Sequence, residues 1–500
     1  MKYISKTSYL NYLVCPKNAW LKLHRPDLAG MFDLSDFDKS LTIKGNIVEL
    51  WARELFPQGH LLSEFTEPAL EETKRLISIN ESVIFQPAFL KDDFLVRNDI
   101  LEYDKKNGGW NLYEIKAINS WEENDQEIDY IEDLSFQSIV LQDSDIKINH
   151  SFLIYLNKDY IRAGEVNVHD LFIIEDLSSQ ILARELSTRK KMRQASKELL
   201  QGDEQMLECQ CLYLPRSKHC ATFNYSHPDV PQYSVHDLSR IGSSKTKLIE
   251  LIDSGIIDIN DIPAHFKLSN IQRNQVDVYQ SKMPIINRSA IKNDLDSLTY
   301  PLYFFDYESY PAAIPLFKGF RPYQQIPFQF SLDILDKVDG DLRHHEYLHL
   351  TADDPSVDIT KALKKWILND GSIIVWHKSF EQSRNLELAE RLPNEASFLN
   401  GLNERIYDLK DIFQKQFYVD ERFKGSVSIK KVISVLVPSL SYQDLEIKEG
   451  GTAMEEWYEK IFKAKSDKDK IVVATQLLKY CALDTYAMYA IWRVLRDLDG

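Results

Sequence analysis

The chain has 500 residues, a formal net charge of −16 and an apolar fraction of 44%. This composition supports a full hydrophobic core, and the length predicts two or three domains. The acidic balance gives no bulk-charge signal for nucleic-acid binding, but it does not exclude such binding, because clustered catalytic acids add to the negative charge and the relevant field is local. The local basic runs at 188–193 and Lys430-Lys431 are predicted to be solvated helix faces. No apolar run approaches the roughly 18 residues of a membrane span, and the first residues lack a signal-peptide segment, so a cytoplasmic protein is predicted.

The first part of the chain shows the periodicities of a mixed α/β domain. Apolar spacing of the helical kind alternates with short apolar runs of the strand kind. Gly108-Gly109 marks a hairpin turn between two of the strands. In chain order, the pattern predicts helices over 6–23 and 40–56, strands over 83–85, 94–103 and 110–117, a helix near 129–142 and a strand over 151–156.

Polar residues suited to metal-dependent hydrolysis lie on the predicted hairpin. Glu114 and Lys116 are two apart in a strand, so their side chains share one face. Asp99 lies on the preceding strand and can converge with them. Two carboxylates can hold a divalent cation, and a lysine can activate water or offset charge on a scissile phosphate. The alternative is a salt-bridged hairpin with no catalytic role.

This stretch resembles the PD-(D/E)XK nucleases of the RecB-like group, in particular the CRISPR-associated RecB-like exonucleases. The resemblance implies a restriction-endonuclease-like domain over residues 1–222, with a glutamine on the helix that follows the E-x-K strand. It implies that Glu49, Asp99 and Glu114 bind metal, and that Glu114 and Lys116 are catalytic. The positions that match the family pattern are Gly45, Glu49, Asp99, Glu114, Lys116 and Gln137.

Four of the five cysteines lie within this predicted domain and flank its nuclease core: Cys15 before the core, and Cys209, Cys211 and Cys220 after it. Iron–sulfur members of the RecB-like family use one cysteine before the core and three after it. The resemblance therefore implies a [4Fe–4S] cluster that joins the first helix to the end of the domain. Zinc is an alternative occupant, and free buried thiols are another interpretation. The fifth cysteine, Cys481, is predicted to pack in a core.

Residues 223–297 match neither nuclease pattern. The segment Ile241-Gly242-Ser243-Ser244-Lys245 and the apolar residues after it predict two short helices around turns. We interpret the segment as a helical connector between two domains. The alternative is a helix-hairpin-helix element that contacts a phosphate backbone through main-chain amides.

Four acidic residues and a tyrosine in the C-terminal part are predicted to reach one point. Asp306 and Glu308 follow an apolar strand-like run and share one strand face. Tyr480 and Asp484 are four apart in a helical stretch and share one helix face. Glu381 lies between these motifs in the chain. Clustered carboxylates repel each other unless cations lie between them, so the set predicts a site for two divalent ions that contact the attacking and leaving oxygens of a phosphodiester.

The order and context of these motifs resemble the DEDD 3′-to-5′ exonucleases of the DnaQ-like, ribonuclease-H-fold superfamily, in the variant with a tyrosine in its last motif. The likeness covers residues 298–500. It implies that Asp306, Glu308, Glu381 and Asp484 bind Mg²⁺ or Mn²⁺, that Asp306 and Glu308 belong to the catalytic set, and that Tyr480 orients the attacking water. The family's middle motif usually reads N-x-x-F-D, whereas this chain has His377 and Glu381.

Taken together, the two motif sets are similar to a bacterial protein family that fuses a RecB-like nuclease to a DEDD exonuclease. They imply a metal-dependent nuclease with two active sites that acts on single-stranded DNA, in DNA repair or in defence against phages and mobile elements. One alternative is an RNA 3′-to-5′ exonuclease. Another is a nucleic-acid-binding scaffold with one or both sites inactive. A further possibility is a protein that acts only with protein partners in a repair or defence complex.

Overall fold

The structure is a computed structural model, and it describes residues 2–33, 36–62, 67–121, 130–201, 203–244, 246–464 and 467–499. The chain divides into two compact units, each of mixed α/β structure. Unit 1 comprises Met1–Pro228 and Ala312–Gln324, and unit 2 comprises Asp229–Pro311 and Gln325–Gly500. Of the predicted connector, residues 223–228 therefore group with unit 1 and residues 229–297 with unit 2. No helix among the described residues has the length and apolar character to cross a bilayer.

Unit 1 contains eight helices and nine strands among its described residues. The helices are α1 (Lys6–Val14), α2 (Pro16–His24), α3 (Asp36–Arg53), α4 (Glu67–Ser78), α5 (Tyr130–Asp143), α6 (Val168–Leu171), α7 (Ser178–Gln201) and α8 (Phe223–Ser226). The strands are β1 (Ile4–Ser5), β2 (His60–Leu61), β3 (Val83–Phe85), β4 (Ala88–Lys91), β5 (Phe94–Arg97), β6 (Ile100–Tyr103), β7 (Trp110–Lys116), β8 (Ile148–Leu156) and β9 (Phe172–Asp176).

The main sheet of unit 1 has six strands in the order β2-β3-β6-β7-β8-β9. Strands β6 and β7 form the antiparallel hairpin that was predicted, and Gly108 and Gly109 at its turn both have positive φ. The crossover from β7 to the parallel strand β8 passes through α5. Residues 130–141 of α5 are all buried. Helix α5 is therefore a central element of this unit, and its polar residues have to find partners inside it.

The structure corrects two of the predicted elements in unit 1. The predicted strand over 94–103 is two strands: β5 pairs with β1 and β4 in a three-stranded sheet, and β6 pairs with β3 and β7 in the main sheet. The chain changes sheet at Asn98-Asp99, which apolar spacing does not reveal. The predicted helix over 6–23 is α1 and α2, because Pro16 lacks the N–H of a helix interior and instead takes the first position of α2.

Unit 2 contains ten helices and seven strands among its described residues. The helices are α9 (Lys247–Asp253), α10 (Asn270–Ser281), α11 (Arg288–Asp296), α12 (Ser356–Trp366), α13 (Lys378–Arg391), α14 (Ala396–Glu404), α15 (Asp411–Gln414), α16 (Ile429–Leu436), α17 (Gly450–Trp457) and α18 (Asp467–Arg496). The strands are β10 (Ile285–Ile286), β11 (Leu302–Pro311), β12 (Gln325–Leu335), β13 (Leu342–Leu348), β14 (Ser372–Val375), β15 (Ile406–Asp408) and β16 (Tyr418–Val419).

The main sheet of unit 2 has the order β13-β12-β11-β14-β15. Its central strand, β11, pairs antiparallel with β12 and parallel with β14. On one face of β11, Tyr303, Phe305 and Tyr307 pack into a core with residues of α12, α13 and α14. On the other face, the Phe304 ring lies 5.9 Å from the Trp492 ring of α18. Because strand side chains alternate, Asp306 and Glu308 lie on the same face as Phe304, toward α18.

Of the possible helix-hairpin-helix element, Lys245 lies outside the described residues. The residues around it form a 3₁₀ turn over Ile241–Ser243 and helix α9. A second 3₁₀ turn spans Ile259–Asp261. Where two short helices were predicted, the described residues form one short helix, α9, between two 3₁₀ turns.

Two carboxylate sites and a four-cysteine cluster

The first site lies in unit 2, where β11 faces α18. The potential ligand atoms of Asp306, Glu308 and Cys481 all lie within 4.8 Å of one another. Tyr480 and Asp484 are one turn apart on α18, and both are buried. Glu381 lies in the first turn of α13, with a side chain that is also buried. A strand and two helices that are distant in the chain thus bring four acids and a tyrosine to one region.

The four acids of this site share a buried environment that disfavours their charge. Burial raises the pKa of each one. Neighbouring acids add to the shift: Asp484 raises the pKa of Asp306, and Asp306 raises the pKa of Glu308 and Glu381. The pKa of Asp484 rises only to about 6, because hydrogen bonds oppose the effect of burial. Glu381 Oε2 is buried and has no hydrogen-bond partner among the described residues.

Three residues that the sequence analysis did not select border this site. Tyr442 Oη donates to Asp484 Oδ1 at 2.6 Å. Lys430 Nζ lies 5.4 Å from the ring centroid of Tyr442 and 5.5 Å from that of Tyr480. A Cβ added to Gly450 would lie 3.8 Å from both Glu308 Oε2 and Tyr480 Oη, so the backbone of α17 approaches closely here. No spacing in the sequence connects these three residues to the acids.

The second site lies in unit 1 and is centred on Glu114 of β7. Glu114 Oε1 accepts hydrogen bonds from Lys116 Nζ at 2.6 Å and from Lys6 Nζ at 2.7 Å. Its other oxygen accepts from Gln137 Nε2 at 2.7 Å. Lys116 Nζ and Gln137 Nε2 each donate a further hydrogen bond to Asp133, at 2.8 Å. The result is a closed network of two acids, two lysines and an amide.

Asp99 and Glu49 lie beside this network and are joined to each other. Asp99 Oδ2 accepts from the backbone N–H of Ile115 at 2.7 Å. Gln86 Nε2 donates to Asp99 Oδ1 at 3.4 Å and also to Glu49 Oε1, which pairs with Arg53 as well. In the part of the chain that the structure describes, Glu49, Asp99 and Glu114 do not bring their ligand atoms within 4.8 Å of one another as a set.

The two central acids of unit 1 have opposite pKa shifts. Burial and the charge of Glu114 raise the pKa of Asp99 to about 7. Burial would also raise the pKa of Glu114, but the ammonium groups of Lys116 and Lys6 outweigh it and hold this pKa below its usual range. Glu114 is therefore a firmly ionised carboxylate beside an acid that titrates near neutrality.

Sequence analysis missed four residues of the unit 1 site: Lys6, Gln86, Asn98 and Asp133. Asn98 Nδ2 donates to Gln137 Oε1 at 2.7 Å. Asp133 precedes Gln137 by one helical turn on α5, a spacing that places both on one helix face and was available in the sequence. Lys6 and Gln86 are distant from Glu114 in the chain, and no local pattern marks them.

The four cysteines of unit 1 come together in space. Their sulfurs all lie within 4.8 Å of one another, with Cys15 and Cys209 at 3.8 Å and Cys209 and Cys220 at 3.6 Å. Cys15 lies at the junction of α1 and α2, and the other three lie after α7. All five thiols of the chain are free. The cluster has the sulfur spacing of a site that can bind a metal.

Comparison with known proteins finds similarity along parts of the chain. A family model described as a domain of unknown function (DUF2779) matches residues 303–428. The uncharacterised protein MG366 of Mycoplasma genitalium is 29% identical over 229 residues, which are 42% of this chain and 34% of that protein. Its homologue in Mycoplasma pneumoniae is 28% identical over 39% of this chain and 32% of its own length.

A third similar protein is the uncharacterised protein UU173 of Ureaplasma parvum serovar 3. It is 26% identical over 304 residues, which are 55% of this chain and 41% of that protein. The matches thus cover between 32% and 41% of the length of these curated relatives. The residues matched by the family model include Asp306, Glu308 and Glu381, and they end before Tyr480 and Asp484.

Proposed function

We propose that this chain is a divalent-metal-dependent nuclease with two active sites, which hydrolyses phosphodiester bonds of single-stranded DNA. The observation that carries the proposal is the close approach of Asp306 and Glu308, whose ligand atoms lie within 4.8 Å of each other, with the buried acids Glu381 and Asp484 near enough to interact with them electrostatically. Buried carboxylates are costly unless they are paired or bind metal. Burial raises the pKa of all four, neighbouring acids add to the shift at Asp306, Glu308 and Glu381, and Glu381 keeps a buried oxygen without a hydrogen bond among the described residues. Such a set of oxygen donors fits hard divalent cations.

Asp306, Glu308, Glu381 and Asp484 would hold Mg²⁺ or Mn²⁺ in unit 2. When bound, a pair of such ions polarises the phosphodiester and lowers the pKa of the attacking water. Residues of the chain would orient the attacking water and the acids that hold the ions. Tyr480, which interacts electrostatically with Glu308, would orient the water, and Tyr442 would hold Asp484 in place through its hydrogen bond. Lys430 would offset negative charge on the phosphate, because it lies over both tyrosine rings.

The topology of unit 2 supports the more specific proposal of a ribonuclease-H-like 3′-to-5′ exonuclease domain. Three antiparallel strands, β13, β12 and β11, are followed by the parallel strands β14 and β15. The first acids lie on the central strand, and the last acid lies on a helix that packs on that strand. Glu381 takes the place where this resemblance expects aspartate, and its longer side chain still reaches the region of the other acids.

The arrangement in unit 1 supports a PD-(D/E)XK nuclease site. A β-hairpin carries Glu114 and Lys116, and the buried helix that follows carries Gln137. Glu49, Asp99 and Glu114 would hold the divalent ion, and Lys116 would orient the attacking water or offset charge on the phosphate. For the four-cysteine cluster we propose a [4Fe–4S] cluster, with Zn²⁺ as the alternative, because four thiolates at this spacing suit either.

The test is degradation of single-stranded DNA labelled at either end, with Mn²⁺ present. We compare the wild type with Asp306→Ala for unit 2 and Lys116→Ala for unit 1. The chain also contains a copy of each motif in which the residue to be replaced has an exposed side chain: Asp444 in Asp444-Leu445-Glu446, and Lys448 in Glu446-Ile447-Lys448. Asp444→Ala and Lys448→Ala are therefore the matched controls.

Each active-site substitution is expected to remove a different set of products, whereas both controls keep all products. A wild type that binds the strand and leaves both labels intact would refute DNA cleavage by the isolated chain. Cleavage of RNA in the same assay would favour the RNA exonuclease. Intact DNA and RNA, with strand binding kept, would favour a scaffold or a nuclease that needs a protein partner in repair or defence.

A further inference from the structure

Lys6, the first residue of α1, reaches the unit 1 site from far away in the chain. Its Nζ lies 2.7 Å from Glu114 Oε1 and 3.7 Å from Asp133 Oδ1. Lys116 contacts the same two acids, at 2.6 Å and 2.8 Å. Both lysine side chains are 23% exposed, whereas Glu114 and Asp133 are almost fully buried. Lys6 thus contacts the same two acids as Lys116, and both lysine side chains keep part of their surface accessible.

Local preferences do not explain this position of Lys6. A helix N-terminus carries partial positive charge, so a lysine in the first turn of α1 is unfavourable there. Burying most of a charged side chain adds a further cost. Residues that break a local rule and find compensation only in distant partners are expected at functional or strained sites. The compensation here is the pair of acids, Glu114 and Asp133.

The backbone around Lys6 is held on both sides. The N–H of Ile4 donates to Asp93 O at 2.8 Å, and β1 pairs with β5. Ser5 caps α1 by accepting a hydrogen bond from the N–H of Ser8 at 3.1 Å. At its other end α1 runs directly into Cys15 of the four-cysteine cluster. Lys6 is therefore presented by a short helix whose two ends are anchored, so little ordering is needed when a ligand binds.

We infer that Lys6 is a second active-site lysine, which binds the substrate phosphate beside Lys116 and opposes the divalent cation at Glu114. The inference rests on the proposed nuclease function of unit 1 and adds a substrate-binding residue to it. An ammonium has three donors, and one directed at Glu114 leaves others for a phosphate oxygen. The same charge repels a cation that approaches Glu114, so Lys6 favours an anionic substrate at the expense of metal affinity.

This role predicts two effects of opposite sign for Lys6→Met, which keeps the length of the side chain and removes its charge. Loss of the charge should tighten Mn²⁺ binding at the unit 1 site by roughly threefold to tenfold. Loss of the phosphate contact should slow cleavage by this site roughly tenfold or more. A merely structural lysine would, when removed, loosen the site and weaken both metal binding and cleavage.

The experiment uses the full chain with Asp306→Asn, so that Mn²⁺ binding at the acids of unit 2 is weakened. Mn²⁺ affinity is measured by electron paramagnetic resonance, and Glu114→Gln identifies the unit 1 signal by removing it. The matched control is Lys191→Met, because Lys191 Nζ also pairs with a buried acid, Glu132, at 2.8 Å outside the site. Lys6→Arg keeps the charge and should retain wild-type Mn²⁺ affinity and most of the cleavage.

Tighter Mn²⁺ binding with slower cleavage in Lys6→Met, and no change of affinity in Lys191→Met, would support the inference. Unchanged or weaker Mn²⁺ binding in a folded Lys6→Met variant would overturn it, even if the site cleaves DNA. If Lys6→Met fails to fold, Lys6→Gln is measured in the same way and judged by the same two outcomes. Absence of any Glu114-dependent Mn²⁺ binding in all variants would instead refute the proposed function of unit 1, and the inference with it.

Discussion

Among single residues, Glu381 gives the most direct test of the proposed metal site in unit 2. Its carboxyl group is buried, one oxygen has no hydrogen bond among the described residues, and neighbouring acids add to the effect of burial on its pKa. Without a bound cation, such a group stabilises the folded state only while it is protonated. The burial and the neighbouring acids that make the ionised carboxylate unfavourable for folding would also favour the binding of a cation to it.

Glu381→Gln is therefore expected to stabilise the protein in the presence of a chelator, by about 1–3 kcal/mol at neutral pH. The folded-state pKa of Glu381 lies above its unfolded value, so its favourable contribution is complete below the unfolded pKa and is lost as pH rises through the folded pKa. The gain from glutamine should thus vanish in acid and grow toward neutral pH. Chemical denaturation over a pH series measures it.

The matched control is Glu390→Gln, an exposed residue of the same helix, α13. It should leave stability within about 0.5 kcal/mol of the wild type at every pH. Glu381→Gln should also reduce the stabilisation that Mn²⁺ confers, because one of its ligands is lost. A loss of stability in the chelated variant, constant with pH, would contradict the assignment of Glu381 to a site that needs cations.

Tyr442 is expected to matter through a single hydrogen bond. Tyr442→Phe removes the O–H that Asp484 Oδ1 accepts and keeps the ring that packs beside Tyr480. Asp484 is then free to turn away from its position for metal binding, and 3′-end degradation should slow by roughly tenfold. Tyr486→Phe, at an exposed position of α18, is the control and should keep full activity. Equal activity of both variants would show that Tyr442 does not orient Asp484.

At the scale of elements, the start of α17 limits the space of the unit 2 site. Gly450 and Gly451 are consecutive residues of this helix, but only Gly450 approaches the site. A Cβ at Gly450 would contact Glu308 Oε2 and Tyr480 Oη, whereas one at Gly451 would have no atom within 4 Å. The two glycines therefore form a matched pair for testing whether the space between Glu308 and Tyr480 is used.

Gly450→Leu is expected to reduce 3′-end degradation by roughly tenfold or more, because the branched side chain would fill the space where a phosphate and its metal ions bind. Gly451→Leu should keep the activity of the wild type. Neither variant should lose its fold, since leucine is favoured over glycine within a helix. Thermal unfolding measured beside the cleavage assay separates a blocked site from a damaged one. Full activity of Gly450→Leu would place the site elsewhere.

For the molecule as a whole, the two units have separate hydrophobic cores and separate candidate sites. The four-cysteine cluster belongs to unit 1 and joins Cys15 to residues about two hundred positions later in the chain, whereas Cys481 lies in unit 2. A metal held by the four sulfurs would cross-link unit 1 and leave unit 2 unaffected. We therefore expect the replacement of a thiol to change the stability of only the unit that contains it.

Cys15→Ser is expected to lower the thermal midpoint of unit 1 by about 5 °C or more, with protection lost first in α1 and α2. Hydrogen exchange with peptide-level detection assigns the change to one unit. Cys481→Ala is the reciprocal control, and its effect should stay within unit 2. A strong chelator should bring wild-type unit 1 to the behaviour of Cys15→Ser. If neither the chelator nor Cys15→Ser changes the thermal midpoint of unit 1, the four cysteines are free thiols.

The sequence by itself determined features that depend on neighbours in the chain. Asp306 and Glu308 share a face because strand side chains alternate, and Tyr480 and Asp484 share a face because a helix repeats every 3.6 residues. The β6–β7 hairpin followed from its two glycines, and Glu114 and Lys116 lie together because they are two apart in a strand. These are short-range properties of the backbone, and they need no knowledge of the rest of the fold.

Only the tertiary structure decided which of these faces meet and what else meets them. No local pattern marks Lys6, Tyr442 or Gly450. Each approaches a site residue that is 30 or more positions away in the chain. The division of 94–103 into strands of two sheets, and the placing of 312–324 with unit 1, are likewise outcomes of packing. Periodicity records which side of an element is apolar, but burial against distant partners selects the arrangement, and that selection has no signature within a single segment.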